Sequence, residues 1–449
     1  MKLRQIVCVN LALICIVLPF RSQSSANNET ITAIVGATLI DGLHPTPLKD
    51  SVVLFRAGRI VRVGTPSTIE VPADAKVIDG HGKWLIPGLI DMHVHLDEVV
   101  TPIMFAQYGV TSVRDVGSRL VTIQHWRSLR AASTPHIYWM GRNIDEHKPS
   151  WWGAVAVNGP SEVPALLADM ERQGVDGVKL YVNSEPEVTK AVIQEAHLRG
   201  WPVTAHCGKT TPLQAAQLGI DNLEHASQMF VGIKSQNHAP VLGYFAGFEG
   251  VPETDLNGKK MQALVKTLAE RGVAVTPTLS ASLMPVVGEK GAQNYYLPWC
   301  NIGSDWQKEW RRGYWDFIST KGWTQKQHDT ALAANRTYSK LVGKLYRAGV
   351  PLIAGTDCPA PWVLPGAGLL VELELMSQAG VPNGELIKAA TSRAADILHR
   401  SDDVGAIAPG RSADMVILNA DPLISIKNLH KISRVFLRGT SVSMSTTTK

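Results

Sequence analysis

The stretch Leu85-Ile86-Pro87-Gly88-Leu89-Ile90-Asp91-Met92-His93-Val94-His95-Leu96 decides the fold. It is an apolar run that carries two imidazoles two positions apart. On a β-strand, residues i and i+2 face the same way. His93 and His95 are therefore aimed at one point. A lone His-x-His pair is weak evidence, but apolar flanks imply burial, and a buried imidazole pair needs a polar partner. Metal ligation is one such partner.

Downstream of this stretch the chain alternates strand and helix patterns. Further strands are expected at Thr111–Val116, His136–Gly141, Gly177–Val182, Pro202–Cys207, Asn222–His225, Val273–Leu279 and Pro351–Cys358. Helical stretches lie between them, among them Ser161–Gln173, Glu185–Arg199, Thr211–Leu218 and Lys259–Arg271. Eight strands with crossovers over about 300 residues predict an α/β fold of the (β/α)8 TIM-barrel class. A doubly wound open sheet is the alternative. One connection, residues 280–349, is longer than a barrel loop requires. It holds Trp299, Trp306, Trp310, Trp315 and Trp323, five of the 12 Trp in the chain, with Tyr295, Tyr296, Tyr314 and Phe317. Such an insertion covers a site or packs as a satellite core.

Upstream, Thr30–Ala37, Ser51–Phe55, Ile60–Val63 and Ala75–Ile78 read as short strands punctuated by turns. The tail reads alike at Val404–Ile407, Asp414–Leu418 and Val435–Leu437. The expected organisation is a small β-sandwich domain built from residues 27–84 and 402–449, around a barrel at 85–401. Residues 1–26 are separate. A basic start, the apolar run Ile6–Phe20 and then Ser24-Ser25-Ala26 read as a secretory signal peptide, with an uncleaved anchor as the alternative. The reading predicts an exported protein, with no membrane contact once the signal is removed.

Composition sets outer bounds. The 449 residues are 45% apolar and carry a net charge of +5, which argues against disorder. Lys2, Arg4 and Arg21 lie in the signal, leaving 41 basic against 39 acidic residues. That is no footprint for nucleic acid. Cys207, Cys300 and Cys358 remain after the signal and read as packing thiols.

Four further residues complete a pattern. Lys179 lies in the apolar strand Gly177-Val178-Lys179-Leu180-Tyr181, where a free ammonium is costly. His206, His225 and Asp357 close three other strands. Barrel enzymes place their active sites at these C-terminal strand ends. Each residue alone has a bland reading, as a salt-bridged Lys, a hydrogen-bonded core His or a capping Asp. Six at matching strand ends do not.

In this order of residues the chain resembles the amidohydrolase superfamily of metal-dependent hydrolases, binuclear subtype, from Ile31 to Gly439. The carriers are Leu85–Leu96, Lys179, His206, His225 and Asp357, with the tail Gly405-Ala406-Ile407-Ala408-Pro409-Gly410-Arg411-Ser412-Ala413-Asp414. Gly109-Val110-Thr111-Ser112-Val113-Arg114-Asp115, Val178-Lys179-Leu180-Tyr181 and Glu224-His225 point to its imidazolonepropionase-like and Xaa-Pro-dipeptidase-like branch. The resemblance implies two divalent metal ions. One is held by His93, His95 and Asp357, the other by His206 and His225, and a carbamate of Lys179 derived from carbon dioxide bridges them. Nitrogen and carboxylate ligands suit zinc. Asp357 is the implied catalytic proton carrier.

The implied reaction is hydrolysis of an amide bond in a small molecule, a dipeptide or N-acyl amino acid. The free carboxylate of such a substrate wants Arg, Lys or Tyr. Arg114, Arg142, His147, Tyr181 and Lys209 lie just beyond strand ends on the expected face. A lactonase, phosphotriesterase or cyclic amidase would use the same metals. A non-enzymatic binding protein would be expected to have lost ligands, and none of the six is missing. Homo-oligomerisation is left open.

Overall fold

The computed structural model describes residues 30–96, 102–129, 133–151, 153–233, 244–296, 320 and 322–442. The expected signal peptide lies outside them, as do Trp299, Cys300, Trp306, Trp310, Tyr314, Trp315 and Phe317. Among the described residues no helix is long and apolar enough to cross a membrane.

The chain opens with β1 (Thr32–Leu39), β2 (Leu48–Arg56), β3 (Arg59–Gly64), β4 (Lys76–Asp79) and β5 (Trp84–Pro87). β1, β2 and β3 form an antiparallel ladder, and β4 and β5 pair in parallel with the two ends of β1. Alternation along β2 feeds two apolar layers. Val53 and Phe55 join Ile34, Leu85, Met415 and Phe436, while Val52 and Leu54 join Ala33 and Ile69. This is the period of two that a strand buried on both faces must show.

At Gly88 the chain changes sheets. The Gly88 amide donates to Asp414 O in the β unit at 2.8 Å, and the Leu89 amide donates to Gly109 O in the barrel at 2.9 Å. A Cβ at Gly88 would lie 2.1 Å from the Thr111 hydroxyl, so only glycine fits the crossing. The expected single strand Leu85–Leu96 is thus corrected to two strands in two sheets. Both halves are buried, so hydrophobicity does not mark the switch.

The barrel strands are β6 (Leu89–Val94), β7 (Val110–Asp115), β8 (His136–Trp139), β9 (Ile144–Glu146), β10 (Val155–Val157), β11 (Val178–Leu180), β12 (Val203–Ala205), β13 (Asn222–Glu224) and β14 (Ala274–Thr276). β6–β7–β8 run parallel, as do β9–β11–β12–β13–β14, with β10 beside β9. Two joints close the ring. β8 and β9 are halves of one barrel strand: the Asp176 amide donates to Trp139 O at 2.7 Å, and the Tyr181 amide to Ile144 O at 2.8 Å. The eighth position is the segment 352–358, bridged to Val275 on one side and Val94 on the other. There the Met92 amide donates to Ala354 O at 2.9 Å and the Asp357 amide to His93 O at 2.7 Å.

The crossover helices follow from local sequence. Lys259–Arg271 buries Met261, Leu264, Val265 and Leu268, one stripe at helical spacing, and ends on left-handed Gly272. Pro212–Leu218 starts from a Thr211/Gln214 capping box. The long connection contributes the kinked helix Leu279–Tyr296 and the helix Gln325–Arg347. Its described rings pack inward: Trp323 meets Phe245 and Phe248, and Tyr338 meets Phe230.

The tail returns as β15 (Met415–Leu418), β16 (Ile432–Leu437) and β17 (Thr440–Ser441). β15 lies between β5 and β16, which joins both chain ends in one eight-stranded sheet. The strand expected at Val404–Ile407 is absent from the structure. Gly405 turns left-handed there, packed against Thr391 O and Ala395, and interrupts any extended run.

Candidate metal centre

β6 alternates as a strand must. Ile90 and Met92 pack outward with Ala394 and Ala395, while Asp91 and His93 take the opposite side. The rings of His93 and His95 lie 5.4 Å apart between centroids. His225, just past β13, stands 4.8 Å from His93 and 4.7 Å from His206, which follows β12. Asp357 completes the group from the eighth strand. Its Oδ1 is 3.2 Å from His95 Nε2 and 3.4 Å from His93 Nε2, and its Oδ2 is 3.9 Å from His225 Nδ1. Ligand atoms of His93, His225 and Asp357 all lie within 4.8 Å of one another, close enough to share one metal ion.

Two of these residues hold unusual backbone. Asp357 (φ 62°) and His225 (φ 62°) are both left-handed, a conformation costly for residues other than glycine. Burial pushes the Asp357 carboxyl up, but His93, His95 and His225 outweigh it and hold the carboxyl well below the ordinary range. Burial, with Lys179 beside it, lowers His206 to about 3, leaving a neutral imidazole with a free lone pair.

Beneath the histidines lies a polar floor. The two Glu224 oxygens divide their work: Oε2 pairs with His93 Nδ1 at 2.7 Å, and Oε1 takes Arg114 Nη2 at 2.6 Å and the Thr204 hydroxyl. A carboxylate on Nδ1 fixes the imidazole so that Nε2 faces the site. Arg114 also donates to Asn222 Oδ1 and Met92 O. Asp91 accepts from the Thr356 hydroxyl at 2.7 Å and from the Thr356 and His93 amides, tying strands one and eight.

Lys179 is the exception. It is 2% exposed and makes no hydrogen bond or ion pair with the described residues. Burial, with Arg114 nearby, lowers it to about 8. A lysine so placed is a poor structural cation and a ready nucleophile in its neutral form. Four imidazoles, a carboxylate and this amine make a donor set that fits divalent metal ions.

The amidohydrolase family profile matches residues 84–442, four-fifths of the chain. The chain belongs to the amidohydrolase family. An uncharacterized protein of Mycobacterium tuberculosis is 31% identical over 190 residues, 36% of this chain and 50% of that protein. The chain thus aligns with about half the length of this curated relative. Among solved structures, a Xaa-Pro dipeptidase with bound methionine superposes with TM-score 0.65 at 21% identity, over 92% of this chain and 100% of that one. A molinate hydrolase does so with TM-score 0.65 at 21% identity, over 93% and 95%. Both likenesses carry the fold, a TIM barrel with an attached second domain.

Within this amidohydrolase the residues expected at the rim divide. The Tyr181 ring stands 5.0 Å from His206, beside the centre. Arg114 is corrected: at 1% exposure it belongs to the floor, its guanidinium spent on Glu224, Asn222 and Met92. Arg142 donates to Gly153 O and Ala154 O, which hold its own loop. Lys209 pairs with Glu185 at 2.8 Å. His147 is 61% exposed and leans on Glu146 at 3.4 Å. Sequence reasoning missed Glu224, Thr204, Asn222 and Asp91. Their signal was available in part: Asn222 and Glu224, like Thr204 and His206, are alternate residues of one strand, and both polar members face inward.

Proposed function

We propose that this amidohydrolase is an exported binuclear metalloenzyme that hydrolyses the amide bond of a dipeptide or N-acyl amino acid. The observation that carries the reading is the unpartnered, buried Lys179 beside converging His93, His95, His206, His225 and Asp357. A neutral lysine amine adds to carbon dioxide, loses a proton and becomes an anionic oxygen ligand. This removes the cost of a buried ammonium and supplies a bridge. In this reading His93, His95 and Asp357 would hold one zinc ion, His206 and His225 the other, and Lys179 as its carbamate would supply an anionic oxygen ligand. When bound, such cations lower the pKa of water towards neutrality and polarise a carbonyl oxygen.

The chain's own residues do the rest. Glu224 keeps His93 in the tautomer that offers Nε2. Asp357, ionised and next to both histidines of the pair, takes the proton of the attacking water and returns it to the leaving nitrogen. An amide nitrogen cannot leave without that proton. Tyr181, beside His206, is placed to meet the substrate.

A second reading is favoured by the pairing of Lys209 with Glu185 and of Arg142 with backbone carbonyls. Those cations are engaged, so a neutral amide or carbamate substrate suits the rim as well, in keeping with the fold likeness to molinate hydrolase. The two are separated by assaying zinc-loaded protein on dipeptides and N-acyl amino acids beside neutral amides, thiocarbamates, a lactone and a phosphotriester. Activity on the first group supports the main reading. Activity on neutral amides alone selects the second, and activity only on the lactone or phosphotriester sinks both. Export is read from the N-terminal signal pattern. Mass spectrometry of protein recovered outside the cytoplasm should find that segment removed.

A further inference from the structure

Outside the metal ligands and their floor, one buried cluster has no role in the account above. Just past β14, Thr278 is fully buried and left-handed, with φ 46°. For a β-branched residue that is a true outlier. Its hydroxyl lies 2.8 Å from His225 Nδ1. Two backbone bonds run beside this contact: the His225 amide donates to Thr276 O at 2.8 Å and the Ala226 amide to Pro277 O at 2.9 Å. The ends of β13 and β14 are thus sewn together by three rungs, and the last of them is the only one made by a side chain.

The strained turn has its own clamp. Glu372, fully buried on the helix Ala367–Gln378, accepts the Leu279 amide at 2.9 Å on one oxygen and the Ser280 amide at 2.7 Å on the other. These are the two residues after Thr278, at the start of the helix Leu279–Tyr296. A carboxylate at a helix N-terminus is favoured by the free amides and the helix dipole. Ser280 in turn reaches Thr356 O at 3.4 Å, one residue before Asp357. Backbone strain persists only where the surroundings over-determine it. Here a buried carboxylate holds the turn that places one hydroxyl on one imidazole nitrogen.

We infer that Thr278 is a positioning residue for His225, held in its strained conformation by Glu372. With Nδ1–H donated to the Thr278 hydroxyl, His225 would keep Nε2 unprotonated and free to ligate. Glu224 does the same for His93 from the other side. The inference rests on the metal-centre reading above and deepens it, because it predicts that one of the two ion sites depends on Thr278.

The test is titration of the metal-free full chain with zinc, wild type beside T278S, T278G and E372Q, with thermal unfolding of each metal-free protein. T278G removes the hydroxyl and also relieves the strain, because glycine accepts a positive φ. Relief of strain offsets part of the cost of losing a buried side chain, so the variant should still fold, yet bind one of two zinc ions about 10- to 100-fold more weakly, the usual effect of removing a partner behind a metal ligand. T278S keeps the hydroxyl and should restore binding to within a few-fold. E372Q can accept only one of the two amides and should weaken the same ion by a smaller factor. With zinc-saturated protein, kcat of T278G should fall with little change in KM. If wild type binds two zinc ions and T278G binds both as tightly, the inference is overturned. Loss of binding in T278S equal to that in T278G also overturns it, since the hydroxyl would then not be the cause. If wild type itself binds no zinc, the metal-centre reading fails first, which keeps the two failures distinct.

Discussion

The floor of the barrel's C-terminal end is built from residues within the strands and the rim from residues just past strand ends, and the two follow opposite rules. On the floor, Arg114, Glu224, Asn222 and Thr204 are buried and satisfy one another across three strands. At the rim, Lys209 and His147 are exposed; Lys209 leans on Glu185, and His147 on Glu146, the residue before it at the end of β9. A charge on the floor is locked by its partner and cannot turn to a ligand. A charge at the rim is reachable from solvent, yet Lys209 there is already paired with Glu185. The comparison teaches that strand-end position alone does not make an arginine or lysine a substrate contact; the depth along the strand decides.

The sharpest way to break this contrast is at Asp357, where floor and open site meet. D357N keeps an oxygen ligand but cannot carry the proton. Turnover should fall by about 10³-fold or more while metal is retained, measured as kcat with metal content determined on the same sample. Near-normal turnover of metal-loaded D357N removes Asp357 from proton transfer.

One layer down, E224Q should act on stability before it acts on chemistry. It leaves the Arg114 guanidinium buried without its counter-charge. Urea unfolding should show a loss of about 3–5 kcal/mol. A loss below about 1 kcal/mol would mean the floor is not the locked network described here.

Lys179 gives a pH signature. Its buried amine titrates near 8, against an ordinary value of 10.5. Between those values the unfolded chain binds more protons than the folded one, so stability of the metal-free protein rises with pH across that window. Below about 8 the full cost of burying the amine is present. K179M should therefore stabilise metal-free protein by about 3 kcal/mol at pH 7, with the gain fading as pH rises to 10.5. A gain that does not change with pH contradicts a buried, unpaired amine. At the rim the smallest effect is expected. Lys209 is exposed and already paired, so K209A should change kcat/KM less than about five-fold. A larger fall would return Lys209 to the substrate contacts.

Much of this was legible in the residues. His93 and His95 announced themselves through period-two spacing in an apolar run, and Lys179 through a charge where none is cheap. Closely spaced strands followed from the same alternation. Gly88 hid the change of sheet, because both flanking segments are buried and read alike. Arg114 was misplaced because spacing shows which side of a strand a residue takes but not its height in the barrel. Thr278 was silent, and Glu224 legible only in part, for a different reason. Their meaning lies in partners 131 and 53 residues away in the chain, His93 and His225, and only closure of the ring brings them together.

The central claim is a two-metal centre bridged through Lys179. Elemental analysis of the full chain, purified gently with zinc and bicarbonate present, tests it most directly. The account predicts close to two zinc ions per chain in wild type and a loss of at least one in K179A, partly recovered by added short carboxylic acids. Fewer than about one ion per chain in wild type, or an unchanged content in K179A, would contradict it.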